Sequence, residues 1–156
     1  MEKIDHKRRA FVYKGRTIYE WDQTLEEVNL YTPAPPGITA REIACKIQSS
    51  WLTLGAASAQ HPFLDEALFS RANVSESFWT LEDGVIHIMV TKAKPGEIWL
   101  AFLKNHAPAG EGEAQALEQA IRKELMLERF QNENPGFDFS GATFNGAAPD
   151  PTTFLK

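Results

Sequence analysis

Cysteine is almost missing from this sequence. The single copy, Cys45, can form no intrachain disulfide and no multi-cysteine metal centre. Long apolar runs are missing too. The longest, Ile98-Trp99-Leu100-Ala101-Phe102-Leu103, falls far short of the ~20 residues a membrane-spanning helix needs. Positive charge is scarce: 16 Lys and Arg stand against 21 Asp and Glu, a net charge of −5. That balance argues against a nucleic-acid backbone or an anionic membrane as the main partner. The charged opening, Met1 to Arg9, has no apolar stretch like that of a signal peptide. The expected compartment is reducing and soluble, cytosol or nucleus.

What is present is a globular chain. Its 156 residues suffice for one domain with a real core, and 43% hydrophobic residues argue against wholesale disorder. Period-two patterning dominates the first two thirds. Val28, Leu30 and Thr32 share one face of a candidate strand, which Pro33-Ala34-Pro35-Pro36-Gly37 ends. Ile43, Cys45 and Ile47 alternate in the same way, and Trp51 to Leu54 follows. Shorter strands are expected near Phe11 to Tyr13, at Ile18 to Trp21, and at Glu97 to Lys104. Ser77 to Glu82 and Val85 to Val90 flank Asp83-Gly84, the strongest hairpin signal in the chain. About seven such strands with no βαβ alternation predict a mainly β protein, an antiparallel β-sandwich.

The pattern changes after Asn105. The chain turns rich in Ala, Leu, Glu, Gln and Lys, which predicts a long helix over 111–134, closed by Asn134-Pro135-Gly136. The expected organisation is a flexible arm at 1–15, the sandwich at 16–105, the helix, and a tail at 135–156. The tail contains Phe137, Phe139, Phe144 and Phe154. The helix carries two apolar stripes. Leu117, Ile121 and Leu125 lie in one; Leu127 and Phe130 lie in the other. Either the whole helix lies deep against the sandwich, or one stripe meets a second copy. The second option predicts a homodimer through Leu117, Ile121, Leu125, Leu127 and Phe130.

Reagents are hard to find. His6, His61, His87 and His106 have no further His or Cys at metal-ligand spacing. No Gly-x-Ser-x-Gly elbow and no Gly-Lys-Ser/Thr phosphate loop occurs. Asp65-Glu66 and Glu82-Asp83 are adjacent pairs, and neighbours on a strand point to opposite faces. Cys45 reads as a small buried hydrophobe. The expectation is a protein without cofactors that works through surfaces. Its candidate anchors are Trp21, Trp51, Phe78, Trp79 and Trp99. Phe78 shares a face with Thr80 and Glu82, so it is expected outside; Trp79 shares its face with Leu81 and is expected in the core.

Three stretches resemble a known family. Tyr19-Glu20-Trp21-Asp22-Gln23-Thr24-Leu25-Glu26-Glu27-Val28 is similar to the opening of the CS domain in nuclear distribution C (NudC) proteins. Glu76-Ser77-Phe78-Trp79-Thr80-Leu81-Glu82-Asp83-Gly84 resembles that domain's central hairpin, and Glu97-Ile98-Trp99 its closing segment. The run Leu125 to Ala142 is similar to the end of one branch of the family. The resemblance implies a CS-type antiparallel sandwich and a non-enzymatic chaperone or co-chaperone. It implies unfolded clients, heat-shock protein 90 and the lissencephaly β-propeller protein of the dynein machinery as partners. It also implies roles in dynein regulation, cell division and nuclear movement, and a cytoplasmic location near cytoskeleton, centrosome or spindle. Client or partner contact is expected at Phe78, Trp79, Glu82 and Asp83. A specific adaptor for one folded partner is the alternative. The loop at 55–62 departs from the family, because many relatives carry a Lys-Gly pair there.

Overall fold

Alternating burial builds this fold, and it is clearest in one strand. Over Val85–Lys92, the side chains of Ile86, Ile88, Val90 and Lys92 are buried, while those between them reach the other face. A computed structural model describes residues 7–58 and 60–134. The arm's first residues and the whole Phe-rich tail at 135–156 lie outside the described residues.

In chain order the strands are β1 (Arg9–Tyr13), β2 (Arg16–Gln23), β3 (Glu27–Pro33) and β4 (Ile43–Ile47). Then come β5 (Trp51–Ala56), β6 (Leu64–Ala67), β7 (Ala72–Glu82) and β8 (Val85–Lys92), followed by the helix α1 (Glu111–Glu133). Five strands form one antiparallel sheet in the order β1-β2-β3-β8-β7. The other three form a second, β4-β5-β6. The core lies between the sheets, with Val28, Leu30, Ile88 and Val90 on one side and Leu52 and Leu54 on the other. This is the expected mainly β sandwich with a long C-terminal helix.

Two tight turns set the register. Asp83 and Gly84 both have positive φ, 51° and 75°, as a two-residue type I′ hairpin requires. Lys14 and Gly15 repeat the geometry between β1 and β2. That first hairpin revises the expected arm at 1–15: residues 9–13 pair with β2.

A strand was also expected over Glu97–Lys104, and the structure has none there. The segment lacks the regular alternation of a half-buried strand: Trp99, Ala101, Phe102 and Leu103 are all buried. Leu103 makes an isolated antiparallel bridge to Leu68. Side chains take up other backbone groups. The Gln23 amide donates to the Trp99 carbonyl (2.7 Å) and accepts from the Trp99 N–H (3.0 Å). The Lys92 ammonium donates to the Glu97 carbonyl (2.6 Å), the Thr24 carbonyl (2.7 Å) and Gln23 Oε1 (3.0 Å).

The helix closes one side of the sandwich. Ile121 and Leu125 enter the core, Leu117 packs against it, and Met126 is buried as well. Glu124 forms a forked ion pair with Arg9 of β1 (2.6 and 3.3 Å), and the Glu128 carboxylate accepts the Leu25 N–H (2.9 Å). The expected dimer face therefore needs correction at Ile121 and Leu125: the chain's own sandwich covers both. Leu127 and Phe130 are half-buried.

Candidate functional site

The outer face of the five-stranded sheet gathers the polar and aromatic side chains that the core does not use. Register sets its rows. Glu20 of β2 stands opposite Tyr31 of β3, Tyr31 opposite His87 of β8, and His87 opposite Thr80 of β7. In the next row Asp22 faces Asn29, Asn29 faces Met89, and Met89 faces Phe78. Directly opposed residues share a face, so these eight side chains form one surface.

Half of this surface is tied down. The Arg8 guanidinium lies 3.6 Å over the Tyr31 ring, and Tyr31 stacks on His87 with centroids 4.6 Å apart. The Tyr31 hydroxyl donates to Asp22 (3.2 Å), and the Asn29 amide donates to the same carboxylate (2.9 Å). Asn29 Oδ1 is left to accept from His87 Nε2 (2.8 Å), which fixes the proton on that nitrogen. Burial pushes the His87 pKa down, so its neutral form is favoured. Burial and the neighbouring Asp22 carboxylate push the Tyr31 phenol up. Both rings are thus uncharged, and the charge around them comes from Arg8, Glu20 and Asp22.

The other half is open. Phe78 is 51% exposed beside Met89, and Glu82 and the turn residue Asp83 are exposed at the hairpin end. Trp79 points the other way and packs against the core. Phe78, Glu82 and Asp83 thus lie together at one edge, and Trp79 supports that edge from inside. Just before Phe78, residues 74–77 stand against Val90 alone, a bulge held by Ser77. Its hydroxyl donates to the Asn73 carbonyl (2.8 Å) and accepts the Thr91 N–H (3.0 Å). The bulge exposes Val74 as well as Phe78.

The other candidate anchors divide. Trp21 and Trp99 are core residues. Trp51 is 40% exposed on the outer face of the smaller sheet, where its indole N–H donates to Asp65 (2.7 Å). That bond and one from Thr53 hold the Asp65 carboxyl below its usual range. Its neighbour Glu66 points elsewhere, to His106 Nε2 at 3.2 Å. His106 also shares a hydrogen bond with the Tyr19 hydroxyl (2.7 Å) and stacks on Phe11 (3.7 Å). Burial pushes the Cys45 thiol up to about 12, which keeps it protonated and a poor nucleophile. No group of three or more His, Cys, Asp or Glu able to hold a metal occurs among the described residues. No described helix is long and apolar enough to cross a membrane.

Sequence reasoning missed Gln23, Lys92 and the Asn29–His87 pair. A signal existed for the first two. Gln23 continues the inward set of Tyr19 and Trp21, and Lys92 continues that of Ile86, Ile88 and Val90.

Comparison with known proteins fits this architecture. The CS domain family matches residues 17–92. The human NudC domain-containing protein 2 is 38% identical over 143 residues, covering 90% of this chain and 87% of that protein. The nuclear movement protein nudC of Dictyostelium discoideum is 24% identical over 159 residues, covering 81% of this chain and 93% of its own length. Among solved structures, the CS domain of the human KIAA1068 protein superposes with a TM-score of 0.53 at 21% identity, covering 60% of this chain and 77% of that one. That likeness concerns the fold alone.

Proposed function

Because the chain belongs to the NudC family of CS-domain proteins, we propose that it acts as a non-enzymatic chaperone or co-chaperone. In this reading it holds unfolded clients and assists heat-shock protein 90, in the cytoplasm and without a cofactor. Its processes would be dynein regulation, cell division and nuclear movement; the name of the Dictyostelium relative points toward the last. The observation that carries the proposal is the open edge of the larger sheet. There Phe78 stands half exposed next to Met89 on a preformed surface, supported from behind by Trp79. An exposed aromatic on a rigid strand can bind apolar segments with little ordering cost. The acids Glu82 and Asp83 beside it would keep the surface soluble and disfavour acidic clients.

The test is an ATP-free aggregation assay. An unrelated aggregation-prone protein is heated with increasing amounts of the full chain, then with the Phe78→Ser variant. Protection near stoichiometric ratios, weakened by the substitution, is expected. Removing residues 111–156 would be a poor control, because Ile121, Leu125 and Met126 belong to the folded core. Absence of protection by a folded sample would turn the reading to its alternative. That alternative is a specific adaptor for one folded partner such as the lissencephaly β-propeller protein. The same Phe78 edge favours it equally, since a single exposed aromatic also suits a hot spot.

A further inference from the structure

The two sheets do not close at the end opposite the Leu25–Glu128 contact. A groove with a volume of about 660 Å³ opens there between the start of β2, the end of β3, the Pro35-Pro36 turn and the ends of β4 and β5. Its floor is the core itself: Ile43, Leu54 and Ile86. Its walls include the half-buried Ile18 and Ile38 and the 55% exposed Phe63. The volume falls within the ~300–1,000 Å³ of sites that hold small molecules or peptide side chains.

The groove is preformed. Pro33, Pro35 and Pro36 fix the backbone on one side. On the other side the 60–63 segment lies so close to β5 that a Cβ on Gly55 would sit 2.9 Å from the Pro62 Cα. A rigid apolar groove binds at low conformational cost.

Charge points to the occupant. The chain carries a net charge of −5, yet the ionisable side chains lining this groove are Arg16 and His61, with no acid among them. Glu42, close by, is turned away in a capping box with Thr39. Neither Arg16 nor His61 has an ion pair or side-chain hydrogen bond among the described residues.

We propose that this groove is a docking site for an extended segment of another protein in which aliphatic and acidic side chains alternate. The aliphatic side chains fill the floor over Leu54 and Ile86. The carboxylates meet Arg16 and the His61 imidazole at the rim. His61 and Phe63 form one wall, and Phe78 is not among the lining residues, so the groove is separate from the Phe78 edge.

Fluorescence anisotropy with the full chain tests it. The probes are two fluorescein-labelled heptapeptides, Gly-Ile-Asp-Ile-Asp-Ile-Gly and the same peptide with Lys in place of Asp. The acidic peptide is expected to bind saturably, and the Lys peptide about tenfold more weakly. Arg16→Gln and Phe63→Ser are each expected to weaken the acidic peptide by about fivefold, with unchanged circular dichroism, because both side chains are exposed. Phe78→Ser should leave this binding intact, which separates the groove from the proposed client edge. Equal binding of the two peptides, or none, overturns the proposal. Binding only after Phe137, Phe139, Phe144 and Phe154 are all replaced by Ser would assign the groove to the chain's own tail and overturn an external partner. A dimer in sedimentation velocity that Phe63→Ser dissociates would assign it to a second copy, and would overturn the proposal as well.

Discussion

Lys92 is the most informative residue to perturb. It is 2% exposed, and its ammonium is spent on the carbonyls of Thr24 and Glu97 and on Gln23 Oε1. Burial pushes its pKa down from 10.5 to about 8, with Glu128 and Glu97 opposing the fall. The sign follows from proton counting. Between pH 8 and 10.5 the unfolded chain binds the proton more tightly than the folded one, so Lys92 makes stability rise with pH. Across pH 7.5 to 9.5 the gain is about 2 kcal/mol, at 1.36 kcal/mol per full unit of pKa difference. Three other groups work in the opposite direction. Tyr19, Tyr31 and Cys45 have folded pKa values raised by burial, so the stability they contribute is lost as pH rises. Their effect is common to the native chain and to Lys92→Met. The difference between the two in urea melts, followed from pH 7.5 to 9.5, isolates the lysine. The native chain should gain about 2 kcal/mol on the variant over that range. A flat or falling difference would refute the reasoning: the three oxygen acceptors would then outweigh desolvation and keep the ammonium charged.

Gly55→Ala puts a methyl against the Pro62 backbone, so it should cost about 1–3 kcal/mol in a denaturant melt and weaken peptide binding in the groove. Equal stability would mean that the 60–63 segment shifts freely. A double-mutant cycle on Arg9→Ala and Glu124→Ala should give a coupling of about 1 kcal/mol that falls in high salt, because both side chains are largely shielded from solvent. Ile121→Ala should cost about 2–5 kcal/mol with no change in sedimentation at micromolar concentration, since Ile121 packs inside one chain. A loss of dimer without a loss of stability would contradict that placement.

The sheets were legible in the sequence because half-buried strands announce themselves. Val28, Leu30 and Thr32 alternate with wetter neighbours, and Asp83-Gly84 is the turn that a two-residue hairpin demands. The 97–104 segment was misread for the same physical reason. Its apolar density resembles a strand, but it lacks the alternation of a half-buried one. The bonds from Lys92 to the Thr24 carbonyl and from Gln23 to the Trp99 carbonyl join residues 68 and 76 positions apart. Local pattern carries no such information. The Phe78 edge was partly legible: alternation put Phe78 and Trp79 on opposite faces. The bulge that exposes Phe78 was not, because Asn73 to Ser77 (Asn-Val-Ser-Glu-Ser) carries no Gly or other turn signature. The groove escaped notice for another reason. It is made where the ends of distant strands meet, and no single stretch of sequence contains it.

The helix changes what counts as the working unit. A boundary after residue 105 looks natural in the sequence, since strand patterning stops there and a Gly- and Pro-rich linker follows. The contacts deny that boundary. Ile121 and Leu125 complete the core, Glu124 holds β1 through Arg9, and Glu128 caps the Leu25 backbone. Glu128 and Glu97 also supply the field around the Lys92 ammonium, which in turn anchors the irregular segment carrying Trp99. The hydrogen-bonded chain from Lys92 through Gln23 to Trp99, and the carboxylate that bonds beside it, link the sandwich, the segment after β8 and the helix. A sandwich cut free of its helix would lose the Arg9 pair, uncover the part of the core that Ile121 and Leu125 fill, and leave Leu25 without its acceptor. Neither the Phe78 edge nor the groove includes a residue of the helix, so both surfaces are built by the sandwich and its loops alone.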